Sequence, residues 1–144
     1  MLALVVAGCG GGNSGPGAPA LVEKSTAIAT GDAICKQLGI DMGQLVTAFR
    51  QAHPNLTDAD ARDFLVNTLL PRVDRAVGDI HRIGEPTKDR VPYDEAVIAL
   101  DKDLSTLKIA VGADPQKVIT NKIVVFDKSA KLFTDYGFKE CGKQ

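Results

Sequence analysis

The sequence predicts an all-α fold, an antiparallel up-down four-helix bundle, on three observations. Apolar residues beyond position 21 recur at alternating steps of three and four, the spacing that gathers them on one face of a helix. The runs are separated by short breaks rich in Pro, Gly and Asn, so consecutive helices should pack side by side in opposite directions. Strand periodicity is missing: Val124-Val125-Phe126 is strand-like, but the surrounding helical period absorbs it.

The first helix is predicted from about Val22 to Ala52, with Ile28, Gly31, Cys35, Leu38, Met42, Leu45 and Phe49 as its stripe. Gly31, Gly39 and Gly43 weaken it locally and mark bends or close contacts with a neighbour. His53-Pro54-Asn55 ends it. Thr57 or Asp58 caps the second helix, whose acidic first turn suits the helix dipole. Its stripe runs through Leu65, Leu69, Val73, Ala76, Ile80 and Ile83. Pro71 falls inside and removes a backbone donor, which predicts a kink. Gly84-Glu85-Pro86 closes the segment.

A third helix opens near Pro92, a good first-turn residue. Tyr93, Val97, Leu100, Leu104, Leu107 and Val111 face inward, with Asp94, Asp101, Lys102 and Asp103 turned outward. After the turn at Gly112-Ala113-Asp114, Asp114 as cap and Pro115 at the first position start the fourth helix. Its stripe is Ile119, Ile123, Phe126, Ala130 and Phe133, widened by Val125 and Leu132. Tyr136-Gly137-Phe138 reads as a Schellman end, with Gly137 left-handed and Phe138 folding back onto the last turn.

Composition bounds the function classes. The chain has 144 residues, enough for one domain of the commonest size. Hydrophobic content of 44% is ample for a core, and a net charge of −1 argues against a nucleic-acid partner, which would need a basic face. Aromatics are 5% and tryptophan is absent, so no platform for stacking bases or sugars is evident.

Val5-Val6-Ala7-Gly8-Cys9 resembles a bacterial lipobox: an apolar run, two small residues and a cysteine. The resemblance implies that a diacylglyceryl group alkylates the Cys9 thiol and that the chain is cut between Gly8 and Cys9. The membrane is then a partner through lipid on Cys9, at the extracytoplasmic face. The Gly/Ser/Pro-rich segment from Gly10 to Pro19 suits a flexible tether. The implied organisation is a signal-peptide remnant over 1–8, a lipid-anchored tether over 9–21 and a bundle domain over 22–144. A signal peptide needs a basic start and an apolar stretch of roughly 7–15 residues. Met1 to Gly8 contain neither Lys nor Arg, so the translation start is expected upstream. No segment approaches the ~20 apolar residues of a membrane span. Gly10, Gly12 and Gly15 spell G-x-G-x-x-G, but without the flanking strand and helix that dinucleotide binding requires.

With Cys9 assigned to lipid, Cys35 and Cys141 remain as an even pair, expected to form a disulfide in an oxidising envelope compartment. The alternative, two free or metal-binding thiols, lacks a C-x-x-C spacing or clustered histidines. The closed loop of about 100 residues corresponds to roughly 4–5 kcal/mol in the chain-entropy model. A fourth helix of about 22 residues is roughly 33 Å long, whereas Cys35 to the end of the first helix is about 27 Å. If helix four ends near Cys35, residues before about Ala29 should overhang the bundle.

Candidate chemistry is thin. His53 and His81 each sit near the end of a helix, and because those helices run antiparallel they lie at opposite ends of the bundle; the dipole suffices to explain them, and no C-x-x-C-H attaches a haem. Asp58, Asp60 and Asp63 invite a calcium reading, but an EF-hand loop needs Gly and Glu where Asp63 and Leu69 stand. Asp101 and Asp103 are two apart and point to different faces. No G-x-S-x-G turn is present, and Ser105, Ser129 and Tyr136 read as ordinary helix residues. Asn55-Leu56-Thr57 matches a glycosylation acceptor, a match without meaning in a bacterial lipoprotein.

Three further features, Ala33-Ile34-Cys35, Leu70-Pro71 and Gly137-Phe138-Lys139-Glu140-Cys141-Gly142, resemble the small helical lipoproteins of actinobacterial-type envelopes. The resemblance implies fold and location, with no activity attached. The leading expectation is therefore a non-enzymatic binding or accessory module, offering a helix face or groove to an envelope protein or small ligand, with no catalytic residue and no cofactor. The alternative is a bundle holding a metal or small cofactor between its helices. A third reading, a hydrolase built from scattered carboxylates, would need carboxyl pairs about 5–10 Å apart.

Overall fold

The computed structural model describes residues 20–120 and 125–143, which are mostly helical. A two-residue strand β1 (Leu21–Val22) leads into α1 (Lys24–Ala52). Then come α2 (Asp58–Phe64), a π-helical turn (Leu65–Leu69) and α3 (Leu70–His81), which together form one continuous run. Strand β2 (Glu85–Pro86) precedes α4 (Arg90–Ala113), α5 (Pro115–Ile119) and α6 (Asp127–Tyr136). Among the described residues no helix is long and apolar enough to cross a membrane.

The second helical run starts at Thr57, whose hydroxyl accepts the Asp60 N–H while the Asp60 carboxylate accepts the Thr57 N–H. This reciprocal box satisfies two of the donors that a helix start leaves open. The kink expected at Pro71 takes the form of the wide turn just before it. The Leu70 N–H reaches back to the Leu65 carbonyl, and the Arg72 guanidinium donates to the Thr68 carbonyl at 2.6 Å. Leu65, Leu69, Val73, Val77 and Ile80 then face the core.

Helix α4 begins at Arg90, two residues before Pro92, behind Asp89 at φ 55°. It lies antiparallel to α3, because Asp74 pairs with Lys108 at 2.7 Å and His81 with Asp101 at 2.8 Å. Asp103 corrects the sequence reading: it faces inward and is buried. Its carboxylate accepts the Ser129 N–H at 3.0 Å, in the first turn of α6. A buried carboxylate survives by capping a helix start, where N–H groups lack partners.

The single fourth helix is also corrected. Its described parts are two pieces, α5 and α6, with Thr120 and Phe126 outside helical geometry at the facing ends. The stretch contains Val118, Ile119, Thr120, Ile123, Val124 and Val125, β-branched residues that restrict χ1 and weaken a helix. Arg50 donates to the Ile119 carbonyl, an acceptor that a longer helix would use, and Thr120 Oγ1 bonds back to the Gln116 carbonyl at 2.7 Å.

The expected N-terminal overhang is overturned as well. Helix α6 ends far past Cys35, beside the start of α1: Lys24 Nζ lies 4.3 Å from the Tyr136 ring centroid. Gly137, at φ 122°, reverses the chain. Its N–H reaches the Thr134 carbonyl, and the Phe138 N–H reaches the Phe133 carbonyl, the Schellman pattern. The C-terminal extension then runs back along α1, with Phe138 against Gly31 and Cys141 bonded to Cys35. Lys24 to Cys35 is about 16 Å of helix, so this extension and the end of α6 cover the turns that were expected to project. Upstream of α1, β1 pairs in parallel with β2, and Lys24 bridges to Asp89 at 2.8 Å. Gly84, at φ 97°, allows this approach, because a Cβ there would overlap the Ala20 carbonyl.

Candidate functional site

Helix α1 lies on the core more than in it. Its fully buried residues are Ala27 and Gly31; farther along, Cys35, Leu38, Met42, Leu45 and Phe49 are only half-buried. The space beneath the middle of this stripe is a cavity of about 550 Å³. Leu38, Gly39 and Met42 wall it from α1. Leu69, Val73, Val77 and Ile80 wall it from the second run, and Leu100 and Leu107 from α4. Val118, Val125, Phe126, Ser129 and Phe133 close the far side, and the Cys35–Cys141 disulfide lies in the wall beside Glu140 and Lys143.

The lining is aliphatic apart from the two phenylalanines and a few polar residues. Ser129 Oγ donates to the Phe126 carbonyl at 3.2 Å, so its hydroxyl is already engaged. Glu140 and Lys143 pair with each other at 2.6 Å. Among the described residues no buried side-chain nitrogen or oxygen lacks a hydrogen-bond partner. A polar atom placed against this lining would exchange water for few hydrogen-bonding partners. The lining is suited to hydrocarbon more than to polar groups.

Cys35 and Cys141, 106 positions apart in sequence, form a disulfide with Cα atoms 5.0 Å apart. Two groups of α1 dock the extension that carries Cys141. Gly31 is buried against the Phe138 ring, which a methyl at this position would overlap. The Asp32 carboxylate accepts the N–H groups of Lys139 at 2.9 Å and Glu140 at 2.7 Å. Within little more than one turn of helix, Gly31, Asp32 and Cys35 thus present a flat seat, an acceptor and a bonded sulfur in order.

An aromatic corner lies below the disulfide. Tyr136 and Phe138 meet Tyr93, with the Tyr93 and Tyr136 centroids 5.5 Å apart, and Phe133 packs edge-on against Phe138. The Tyr136 hydroxyl donates to the Lys88 carbonyl at 3.2 Å. Burial pushes the Tyr93 phenol up to about 12, with Tyr136 and Asp94 adding to the shift. Burial raises Tyr136 too.

The other singled-out residues are dispersed. Cys9 and the G-x-G-x-x-G glycines lie outside the described residues. His53 stacks on Phe49 at 4.4 Å, and its Nδ1 is 3.9 Å from Asp60, whereas His81 pairs with Asp101. Asp60 serves the helix cap and Asp63 accepts from Asn67. Among the described residues no three His, Cys, Asp or Glu side chains are grouped to hold a metal. The helical period placed these wall residues on apolar stripes and left open whether they enclose a cavity. Of the glycines in α1, Gly39 sits on the cavity wall, where an added Cβ would touch nothing. Comparison with protein-family models, curated proteins and solved structures finds no match for this chain.

Proposed function

We propose that this protein is a lipid-anchored, non-enzymatic binding module of the cell envelope, held by lipid on Cys9 at the extracytoplasmic face of a bacterial membrane. Its helices form an up-down bundle in which α5 and α6 together take the place of the fourth helix, and its ligand is a small apolar molecule. The apolar cavity under α1 carries this reading. Its volume of about 550 Å³ falls within the range of small-molecule sites. Among the described lining residues Glu140 is the one carboxylate, too few ligands for a metal, which favours an apolar ligand over a metal ion. The oxidised Cys35–Cys141 pair supports residence outside a reducing cytosol.

Two measurements test the proposal. Mass spectrometry of the protein from its host membranes is expected to find a diacylglyceryl group on Cys9, and Cys9→Ala should move the protein to the soluble fraction. A soluble native species with a free Cys9 thiol overturns the anchor. For the ligand, a neutral solvatochromic dye should bind the native protein with a blue-shifted emission. Emission unchanged from buffer overturns the cavity as a binding site.

A further inference from the structure

We infer that the cavity holds one long-chain fatty acid, with its tail between α1, α3 and α4 and its carboxylate at Lys143. The inference rests on the apolar-ligand reading above and names the ligand class. Volume selects the number of chains. A dry cavity of about 150 Å³ accepts benzene, so the present ≈ 550 Å³ has room for roughly 20 carbons by the same measure. One long chain fits, and a glycerolipid carrying two does not.

The walls select what the chain is made of. Val73, Val77 and Leu107 offer branched aliphatic surface rather than a flat slot for a ring system. Among the described lining residues Ser129 is the one buried polar side chain, and its hydroxyl already donates to the Phe126 carbonyl. The tail is therefore hydrocarbon throughout. The charges on the wall sit together on the C-terminal extension, at Glu140 and Lys143. Of the three donors on the Lys143 ammonium, Glu140 takes one, leaving two for a carboxylate. Lys143 is well exposed, so the acid group stays hydrated while the tail is dry.

The test uses the full chain, freed of lipid by reverse-phase exchange and refolded with its disulfide intact. A conjugated polyene fatty acid, fluorescent when buried, serves as the probe. Palmitate should displace it, octanoate should do so far more weakly, and vesicles of diacyl phosphatidylcholine should not. Along a series of saturated acids, affinity should rise by roughly fourfold per methylene until the cavity is full. Gly39→Leu places a side chain where an added Cβ meets open space, and it favours the helix. It should keep a native circular dichroism spectrum and weaken the probe by roughly tenfold or more, since Gly39 lies on the cavity wall. Lys143→Ala should weaken palmitate by roughly twofold to fivefold while sparing the matching fatty alcohol. Equal displacement by the two-chain lipid, or binding indifferent to Gly39→Leu, overturns the assignment. A neutral dye that binds in a Gly39-sensitive way while palmitate fails to compete overturns the fatty acid and leaves the apolar site standing. Failure of both dye and fatty acid on a natively folded protein overturns the two readings together.

Discussion

Tyr93 concentrates the local physics of this molecule. Its ring is nearly fully buried among Tyr136 and Phe138, and its hydroxyl is 3.5 Å from the Ile80 carbonyl. Ionising it would place a charge where water is excluded, so burial holds its pKa near 12 against an ordinary 10.0. The folded state thus binds this proton more tightly than the unfolded chain. The resulting stability is fully present below about pH 10 and is lost as pH rises through about 12. Lys24, raised chiefly by its hydrogen bond to Asp89, acts in the same direction. Urea unfolding at fixed steps across this range should show falling stability, with a shallower fall in Tyr93→Phe. Equal slopes in the two proteins would remove Tyr93 from the explanation. Asp103 shows the limit of reading at this scale. Its charge predicts an outward residue, and only its proximity to the open N–H of Ser129 brings it inside.

At the scale of elements, α1 is the least conventional. A stripe of apolar residues normally means a buried face, yet from Cys35 to Phe49 this stripe stays half-exposed. Gly43 contributes no contact there, since a Cβ would meet nothing within 4 Å. Glycine in mid-helix costs about 0.5–1 kcal/mol relative to alanine through backbone entropy. Gly43→Ala is expected to raise stability by about that amount in denaturant titration, and a loss would mean the helix bends there for a reason of its own. Helical character along α1, the second run, α4 and α6 was legible, because period, caps and the Gly137 reversal are local properties. The β1–β2 pairing was not legible: two residues at Leu21–Val22 carry no periodicity, and their partner lies more than 60 positions away. The interruption between α5 and α6 was legible only as a cluster of β-branched residues, which tertiary context can override in either direction.

For the whole molecule, the decisive feature is the return of the C-terminal extension along α1. It joins the first helix to the last through Phe138 on Gly31, Asp32 on the Lys139 and Glu140 amides, and the Cys35–Cys141 bond. The cross-link closes most of the chain, so replacing both cysteines by alanine should lower stability by about 2–4 kcal/mol. Comparing the two oxidised and cysteine-free proteins in urea checks this, and equal midpoints would assign the docking to Asp32 and Phe138 alone. The same extension contributes Glu140, Cys141 and Lys143 to the cavity wall, so this cross-link and the proposed ligand site share one structure.

The amino-acid sequence by itself determined what depends on neighbours along the chain: the helical period, the Thr57 and Asp114 caps, the reversal at Gly137 and the even pair of cysteines once Cys9 is set aside. Tertiary structure alone decided where α6 ends relative to Cys35, why Asp103 points inward and why α1 leaves a cavity beneath it. Those outcomes depend on how side-chain volumes from several helices fill a shared space. A local pattern records which face of a helix is apolar, but not how closely the surfaces opposite approach it.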